Sequence, residues 1–231
     1  MNWEKRPVKA QARDWLFNIV SESLPKSEDP LTYIGLPAGQ AIFEKRLRDH
    51  YGKVNLTLFE RDKIVLKDLM KIQDEDFVKD PNVESEVYWS ELGPFLCRMT
   101  KADARQVAWL DYCGPVTPDR LKSLRHCLSI RPQNGIVAAT FMAGRERPNG
   151  NTILDFFDES YMGVDIDYDK ELVPGYFLRR VKAVSELARG VDSNIDIQVL
   201  PYKDRAPMML FVFKDCKGAR PTIEIEPYTK E

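Results

Sequence analysis

The sequence has little histidine and cysteine and lacks long apolar runs. Two histidines and four cysteines occur in 231 residues, and no two cysteines are spaced as Cys-x-x-Cys. A zinc site of histidine and cysteine ligands would therefore be hard to assemble, and we expect free thiols and no metal. The longest apolar runs, such as residues 207–213, are far short of the ~20 residues that span a bilayer. Residues 1–13 are charged and lack the apolar core of a signal peptide, so we expect a cytoplasmic protein with no membrane segment.

The charge balance is nearly even. Lysine and arginine number 34 against 36 aspartate and glutamate residues, which gives a net charge of -2. This excludes a surface coated in basic charge for tight, non-specific nucleic-acid binding, although it leaves room for a local basic patch. The composition, 43% hydrophobic and 30% charged, is that of a globular chain and excludes a disordered or collagen-like one.

Apolar periodicity predicts an N-terminal helix over 8–24, followed by alternating strands and helices. The predicted strands are 31–36, 54–59, 83–89, 106–110, 136–142, 195–200 and 208–213. The predicted helices are 40–50, 64–72, 92–104, one that begins at Thr117 or Pro118, 153–157 and 175–188. The acidic stretch 73–82 is predicted to be a loop. The last two strands are separated only by 201–207, which suits an antiparallel hairpin.

The alternation predicts a doubly wound α/β sheet that is mostly parallel with an antiparallel C-terminal hairpin. We expect an N-terminal helical extension over 1–30, one α/β domain over 31–216 and a polar tail over 217–231. Ligands of such sheets bind at the carboxyl ends of the strands, near the switch in strand order. The residues that follow each strand are therefore the candidates for a site.

The first strand is followed by the loop Gly35-Leu36-Pro37-Ala38-Gly39. Small residues here would let the backbone approach a ligand closely, and the next helix offers free N–H groups. The loop is neither Gly-x-Gly-x-x-Gly nor a Walker loop, because Gly39 is followed by Gln40 and Ala41. A plain tight turn between strand and helix is the alternative interpretation.

Acidic residues follow the second and third strands. Glu60 stands where an acid commonly accepts hydrogen bonds from the ribose hydroxyls of an adenosine cofactor. The alternative is a solvated acid that caps the next helix, a role Asp62 would fill equally well. Ser90 and Glu91 follow the third strand, where either could approach an adenine or ribose or simply lie on the surface.

The fourth strand leads into Asp111-Tyr112-Cys113-Gly114-Pro115. Asp111 could accept a proton-bearing amine or hydroxyl of a substrate, and Tyr112 could stack on a planar ring. The alternative is a helix-capping loop with Tyr112 packed inside. Cys113 has no histidine near it in the sequence, so nucleophilic catalysis by this cysteine is not indicated.

Basic residues gather near the ends of the fourth and fifth predicted strands. They could contact phosphate groups of a nucleic acid, or they could simply be solvated. These residues are Arg120, Lys122, Arg125, Arg131, Arg145 and Arg147.

From Leu31 to Asp215 the order of elements resembles the class I S-adenosylmethionine-dependent methyltransferases. That family has a Rossmann-like sheet of seven strands whose last strand closes an antiparallel hairpin. The stretches 195–200 and 208–213 resemble this hairpin, which separates the family from NAD-binding Rossmann domains. The resemblance implies S-adenosylmethionine as cofactor and methyl transfer to a nucleic-acid base or another planar amine.

The resemblance also assigns residues. Gly35, Pro37, Ala38 and Gly39 fall on the cofactor loop, whose family pattern is acidic-x-Gly-x-Gly-x-Gly and is not matched in full. Glu60 falls on the ribose-binding acid and Glu91 on the acid near the adenine. The catalytic pair implied is Asp111 and Tyr112. The corresponding motif of the amino-methylating branch is Asp/Asn-Pro-Pro-Tyr/Phe, whereas in this sequence the double proline is missing and the aromatic residue is displaced.

Two other functions stay open from the sequence. An NAD-dependent oxidoreductase is disfavoured by the missing Gly-x-Gly-x-x-Gly and by the terminal hairpin. A catalytically degenerate member that serves as a binding or scaffolding subunit, of viral or mobile-element origin, is supported by the unusual loop at Pro37.

Overall fold

The computed structural model describes residues 7–37, 40–89, 105–112, 114–142, 174–203 and 207–227. The helices of this part are α1 (Pro7–Ser23), α2 (Ile42–Tyr51), α3 (Lys63–Ile72), α4 (Pro118–Ile130) and α5 (Pro174–Val191). The strands are β1 (Leu31–Gly35), β2 (Val54–Phe59), β3 (Val83–Tyr88), β4 (Gln106–Asp111), β5 (Ile136–Met142), β6 (Ile195–Lys203), β7 (Pro207–Asp215) and β8 (Ile223–Ile225).

The strands form one sheet in the order β3-β2-β1-β4-β5-β7-β6-β8. Strands β1 to β5 pair in parallel, and β7 runs antiparallel to both β5 and β6. This confirms the predicted α/β sheet, mostly parallel with an antiparallel C-terminal hairpin. The chain moves outward from β1 to β2 and β3, then crosses to β4 on the other side, so the order switches beside β1.

Apolar side chains cover both faces of the sheet. Helices α1, α2 and α3 pack on one face through residues such as Leu16, Leu47 and Leu69. Helices α4 and α5 pack on the other through residues such as Leu124 and Val184. Alternate strand residues serve the two layers. On β1 the side chain of Tyr33 lies in the first layer and that of Ile34 in the second; on β4 those of Trp109 and Leu110 divide in the same way.

Two predictions from the sequence need correction. Within the described ranges the sheet has eight strands instead of seven, because β8 pairs in parallel with β6 inside the predicted polar tail. The predicted loop over 73–82 begins with a π-helical turn, Gln73–Phe77, whose last residue is fully buried. Phe77 gives this acidic stretch one apolar anchor, which supplies a packing reason for the turn. The helices predicted over 92–104 and 153–157 lie outside the described residues.

The described ranges contain neither a membrane-spanning helix nor a metal-binding cluster. No helix there is long and apolar enough to cross a membrane. Nor do three histidine, cysteine, aspartate or glutamate side chains of those ranges come together where a metal ion could be held.

Candidate functional site

The carboxyl ends of β1, β2 and β4 meet at one edge of the sheet. Gly35, the last residue of β1, is in register with Leu58 of β2 and with Trp109 of β4. The backbone N–H of Leu36 reaches the carbonyl oxygen of Trp109 at 3.4 Å. Because the strand order switches between β1 and β4, this edge is where an open α/β sheet binds its ligand.

The ring of Tyr33 leaves no room for a side chain at Gly35. A Cβ built on this residue would lie 2.5 Å from the Cζ and 2.6 Å from the Cε1 of Tyr33, closer than real Cβ atoms come to other atoms. The ring of Tyr33 therefore runs along β1 and fills the space that a side chain at Gly35 would take. The predicted role of Gly35, close approach of the backbone to a cofactor, stays a prediction. Pro37 is buried, and Ala38 and Gly39 lie outside the described residues.

Tyr33 and Glu44 form a buried pair that the sequence interpretation missed. Tyr33 is 1% exposed and Glu44, the third residue of α2, is 2% exposed. The phenol of Tyr33 donates a hydrogen bond to the Glu44 carboxylate. Burial raises the pKa of Tyr33 well above its usual value, and the carboxylates of Glu44 and Asp111 raise it further. The phenol is therefore neutral and able to donate a hydrogen bond throughout the physiological pH range.

A signal for this pair exists in the sequence. Glu44 shares a helix face with Leu47 and Tyr51, which are three and seven residues further on and are both buried. An acid in such a stripe needs a buried partner. The family pattern of the loop places an acid two positions before its first glycine; this chain has Tyr33 there, and Tyr33 contacts a carboxylate that comes from α2 instead.

Glu60 is the half-buried acid at the carboxyl end of β2. Its own N–H donates to the carbonyl oxygen of Tyr88 at 3.1 Å, and its Oε1 accepts the N–H of Asp62 at 2.8 Å. Burial raises the pKa of its carboxyl group. The cap of α3 is Asp62, whose Oδ1 accepts the N–H groups of Ile64 at 2.8 Å and Val65 at 3.3 Å. Glu60 is thus not the helix cap, and its predicted role at a ribose remains to be tested.

Asp111 lies at the same edge, as the last residue of β4. It is half-buried and in register with Thr140 of β5. Its carboxylate comes close enough to the phenol of Tyr33 to raise the pKa of that group. The two acids predicted at the ends of β2 and β4 therefore flank the end of β1, whereas Glu91 lies outside the described residues.

Tyr112 is half-buried and packs against the layer formed with α4 and α5, which agrees with the alternative interpretation of this residue, whereas its predicted stacking on a substrate ring stays a prediction. Its ring stacks on that of Phe141 with centroids 5.6 Å apart, and the guanidinium of Arg120 lies 5.4 Å from its centroid. Burial raises the pKa of its hydroxyl group. In this arrangement the ring belongs to the layer formed with α4 and α5 and supports the loop after β4.

Arg120 makes contacts within its own chain. Its Nη1 donates to the carbonyl oxygen of Pro115 at 2.5 Å, and a Cβ at Gly114 would lie 2.8 Å from its Cζ. Of the basic residues predicted to contact a nucleic acid, Lys122 and Arg125 are exposed on α4, and Arg145 and Arg147 lie outside the described residues. The predicted nucleic-acid contact through these residues is untested, and for Arg120 it would compete with the internal contacts.

No protein-family model matches the sequence, and no curated protein matches it either. Solved structures do match. An rRNA methylase from Streptococcus thermophilus is 15% identical, with a TM-score of 0.50 over 92% of this chain and 98% of that one. The N-methyltransferase NodS from Bradyrhizobium japonicum WM9 is 10% identical, with a TM-score of 0.50 over 93% and 99%. Spermidine synthase from Thermotoga maritima is 15% identical, with a TM-score of 0.52 over 91% and 60%.

These likenesses establish the fold. The chain has the fold of the class I S-adenosylmethionine-dependent methyltransferases, as its sheet order and terminal hairpin indicate. Proteins of different activities can share a fold, and the matched structures include a synthase as well as two methyltransferases. Function therefore depends on the residues of the site.

Proposed function

We propose that the chain is an S-adenosylmethionine-dependent methyltransferase whose cofactor binds across the carboxyl ends of β1, β2 and β4. The observation that carries the proposal is the half-buried carboxylate of Glu60, which follows β2 beside the switch point of a methyltransferase-type sheet. Asp62 already caps α3, so capping does not account for Glu60. A carboxylate at this point accepts hydrogen bonds from the two hydroxyl groups of a ribose.

The residues around the end of β1 fit such a cofactor in part. The N–H of Asp62 holds one oxygen of Glu60, which orients the carboxylate before a ligand arrives. Helix α2 begins after Ala41, whose side chain makes no capping hydrogen bond to the N–H groups of the first turn. Gly35 fits less well, since the space at its Cβ is taken by Tyr33. Ligand approach there would have to use the backbone of the loop.

Asp111 is the residue we assign to the acceptor. Bound S-adenosylmethionine supplies a methyl group on a positively charged sulfur. The Asp111 carboxylate accepts a hydrogen bond from the acceptor amine, orients its lone pair toward that methyl group, and takes up the proton once the new bond has formed. Tyr112 braces the loop that carries Asp111, through its stacking on Phe141.

The acceptor class that suits this arrangement is a planar amine, of which a nucleic-acid base is one kind. A base would have to be unstacked to reach the edge of the sheet. Lys122 and Arg125 on α4 are exposed and could contact the phosphates beside it. Salt-dependent binding of RNA or DNA that weakens in Lys122→Ala and Arg125→Ala would support this class of acceptor.

Calorimetric titration with S-adenosylmethionine and S-adenosylhomocysteine tests the cofactor. We expect micromolar binding to the wild type and at least about a tenfold loss in Glu60→Ala, because charge-assisted hydrogen bonds are lost. The control is Glu84→Ala, an exposed acid on the adjacent strand β3, which should bind as the wild type does. Absence of binding to the wild type would contradict the proposal and favour a scaffolding subunit, whereas tight binding of NADH would favour an oxidoreductase.

Asp111→Asn tests the catalytic assignment. We expect this variant to bind S-adenosylhomocysteine within about twofold of the wild type and to form product about 100-fold more slowly, since a general base is removed. The measurement is the release of S-adenosylhomocysteine with RNA, DNA or small amines as acceptors. Unchanged turnover in Asp111→Asn would remove Asp111 from the mechanism while leaving the cofactor site in place.

A further inference from the structure

We infer that Tyr33 and Glu44 are positioning residues, whose hydrogen bond sets the first turn of α2 against the end of β1 at the candidate cofactor site. The part of the inference that concerns ligand affinity rests on the proposed function. The part that concerns the helix turn does not, and can be tested without a ligand.

On β1, the contact depends on the lack of a side chain at Gly35. Tyr33 and Gly35 are two residues apart on β1, so they share a face of the sheet. The ring of Tyr33 lies where the side chain of residue 35 would be, within 2.6 Å of a Cβ placed there. Gly35 thus lets the phenol of Tyr33 extend to the carboxyl end of β1 instead of turning aside.

The helix side of the contact is a buried carboxylate. Glu44 is 2% exposed in the first turn of α2, where a negative charge is favoured by the helix dipole. It accepts the hydrogen bond of the fully buried Tyr33. A hydrogen bond between two buried groups has strict geometry and little competition from water, so it fixes the distance between strand and helix.

The N-cap residue of α2 differs from those of α3 and α4. Helix α3 is capped by Asp62, and α4 is capped by Thr117, whose side chain accepts the N–H of Arg120. At the corresponding place α2 has Ala41, which offers no side-chain cap and adopts a left-handed conformation with φ 47° and ψ 44°. An L-residue with a Cβ holds this conformation only where its surroundings impose it. The contact between Tyr33 and Glu44, three residues into the helix, is such a constraint.

Tyr33→Phe removes only the hydroxyl group and is the test. Tyr51→Phe is the matched control, since Tyr51 is also buried and lies at the other end of α2. Its hydroxyl group donates to the carbonyl oxygens of Val20 at 3.2 Å and Leu24 at 2.8 Å. Both variants should lower the melting temperature, because each loses buried hydrogen bonding. Any difference between the two variants in amide exchange or ligand affinity then reports on where in the structure the hydrogen bond is lost.

The ligand-free measurement is amide hydrogen exchange of residues 45–47. Lys45 is the first amide of α2 with a backbone acceptor in the helix, the carbonyl oxygen of Ala41 at 3.0 Å. We expect about tenfold faster exchange there in Tyr33→Phe and less than twofold change in Tyr51→Phe. Equal exchange in the wild type and Tyr33→Phe, or equal acceleration in both variants, would overturn the inference.

The ligand measurement is the dissociation constant of S-adenosylhomocysteine. We expect it to rise about tenfold in Tyr33→Phe and less than twofold in Tyr51→Phe. Faster exchange with unchanged affinity would overturn the positioning role toward the ligand. If the wild type binds no S-adenosylhomocysteine, the proposed function fails, and the exchange result alone decides whether the pair sets the helix turn.

Two substitutions of Glu44 separate the hydrogen bond from the charge. Glu44→Gln keeps an oxygen that can accept the bond from Tyr33, and Glu44→Leu does not. We expect exchange at residues 45–47 within about threefold of the wild type in the first variant and acceleration like that of Tyr33→Phe in the second. Similar acceleration in both would show that the hydrogen bond is not what positions the turn.

Discussion

Arg120 contacts both Tyr112 and Pro115 in the loop that follows β4. Its guanidinium lies over the ring of Tyr112, and its Nη1 donates to the carbonyl oxygen of Pro115. Gly114 leaves the space in which the guanidinium lies. The same loop is tied to the end of β5 by the N–H of Met142, which donates to the carbonyl oxygen of Gly114 at 2.7 Å. The loop directly after Asp111 is therefore packed against an arginine whose charge, in the sequence alone, suggests a surface contact.

Arg120→Met should destabilise the chain, because a methionine fills some of the space but makes neither the hydrogen bond nor the cation–π contact. We expect the free energy of unfolding to fall by about 1–3 kcal/mol, measured by urea denaturation. Arg125→Met, an exposed position on the same helix, should change it by less than about 0.5 kcal/mol. The inward role would be contradicted if Arg120→Met kept wild-type stability and lost only affinity for nucleic acid.

Glu60→Gln should stabilise the chain at neutral pH while weakening the cofactor site. Burial raises the pKa of Glu60 in the folded chain, so the folded state holds this proton more firmly than the unfolded state does. The charged carboxylate is therefore destabilising at pH values above the folded pKa, and this cost disappears as the pH falls below the ordinary value of 4.5. A glutamine has no charge to desolvate, and its oxygen can still accept the N–H of Asp62.

The measurement is the melting temperature of Glu60→Gln and the wild type between pH 4 and 8, buffered at constant ionic strength. The variant should melt higher at pH 7, and the difference should shrink toward low pH. Affinity for S-adenosylhomocysteine should fall at least about tenfold. Glu84→Gln, on the exposed side of β3, should show neither effect. A difference in melting temperature that grows as the pH falls would contradict the assigned cause.

The elements that the sequence predicts best are those whose burial is periodic. Strand β5 has the predicted bounds, 136–142, because it is buried on both faces and is a continuous apolar run. The ends of β2 and β4 follow from the same periodicity, and with them the positions of Glu60 and Asp111. The contact between Tyr33 and Glu44 depends on how β1 and α2 pack. For a charged side chain such as that of Arg120, the sequence does not indicate whether it points into the protein or toward solvent. Tertiary contacts of this kind leave only weak traces in a single sequence.

The edge strand β8 was missed for a similar reason. Its residues Ile223–Ile225 are all exposed, and their alternation of isoleucine and glutamate is too short to stand out in a polar tail. Backbone bonds hold it in place instead: the N–H of Ile197 donates to the carbonyl oxygen of Thr222 at 3.1 Å, and the N–H of Glu226 to that of Val199 at 2.8 Å. These pairings join residues far apart in the chain, and local propensity does not report them.

Asp196→Ala should release β8 from the sheet. The Oδ1 of Asp196 accepts both the N–H of Thr222 at 2.8 Å and its hydroxyl group at 3.2 Å, just before β8 begins. Without this carboxylate, only a few backbone bonds remain to hold the short strand, and the contact that sets their register is lost. We expect exchange of the Ile197 amide to accelerate about tenfold, since two hydrogen bonds are lost at an exposed edge. Asp196→Asn keeps one acceptor oxygen and should accelerate exchange of the Ile197 amide less.

A freed edge of β6 also offers unpaired backbone groups, so self-association in Asp196→Ala, measured by sedimentation, should rise with concentration. Wild-type protection of Ile197 in the alanine variant would mean that the backbone pairing alone holds β8.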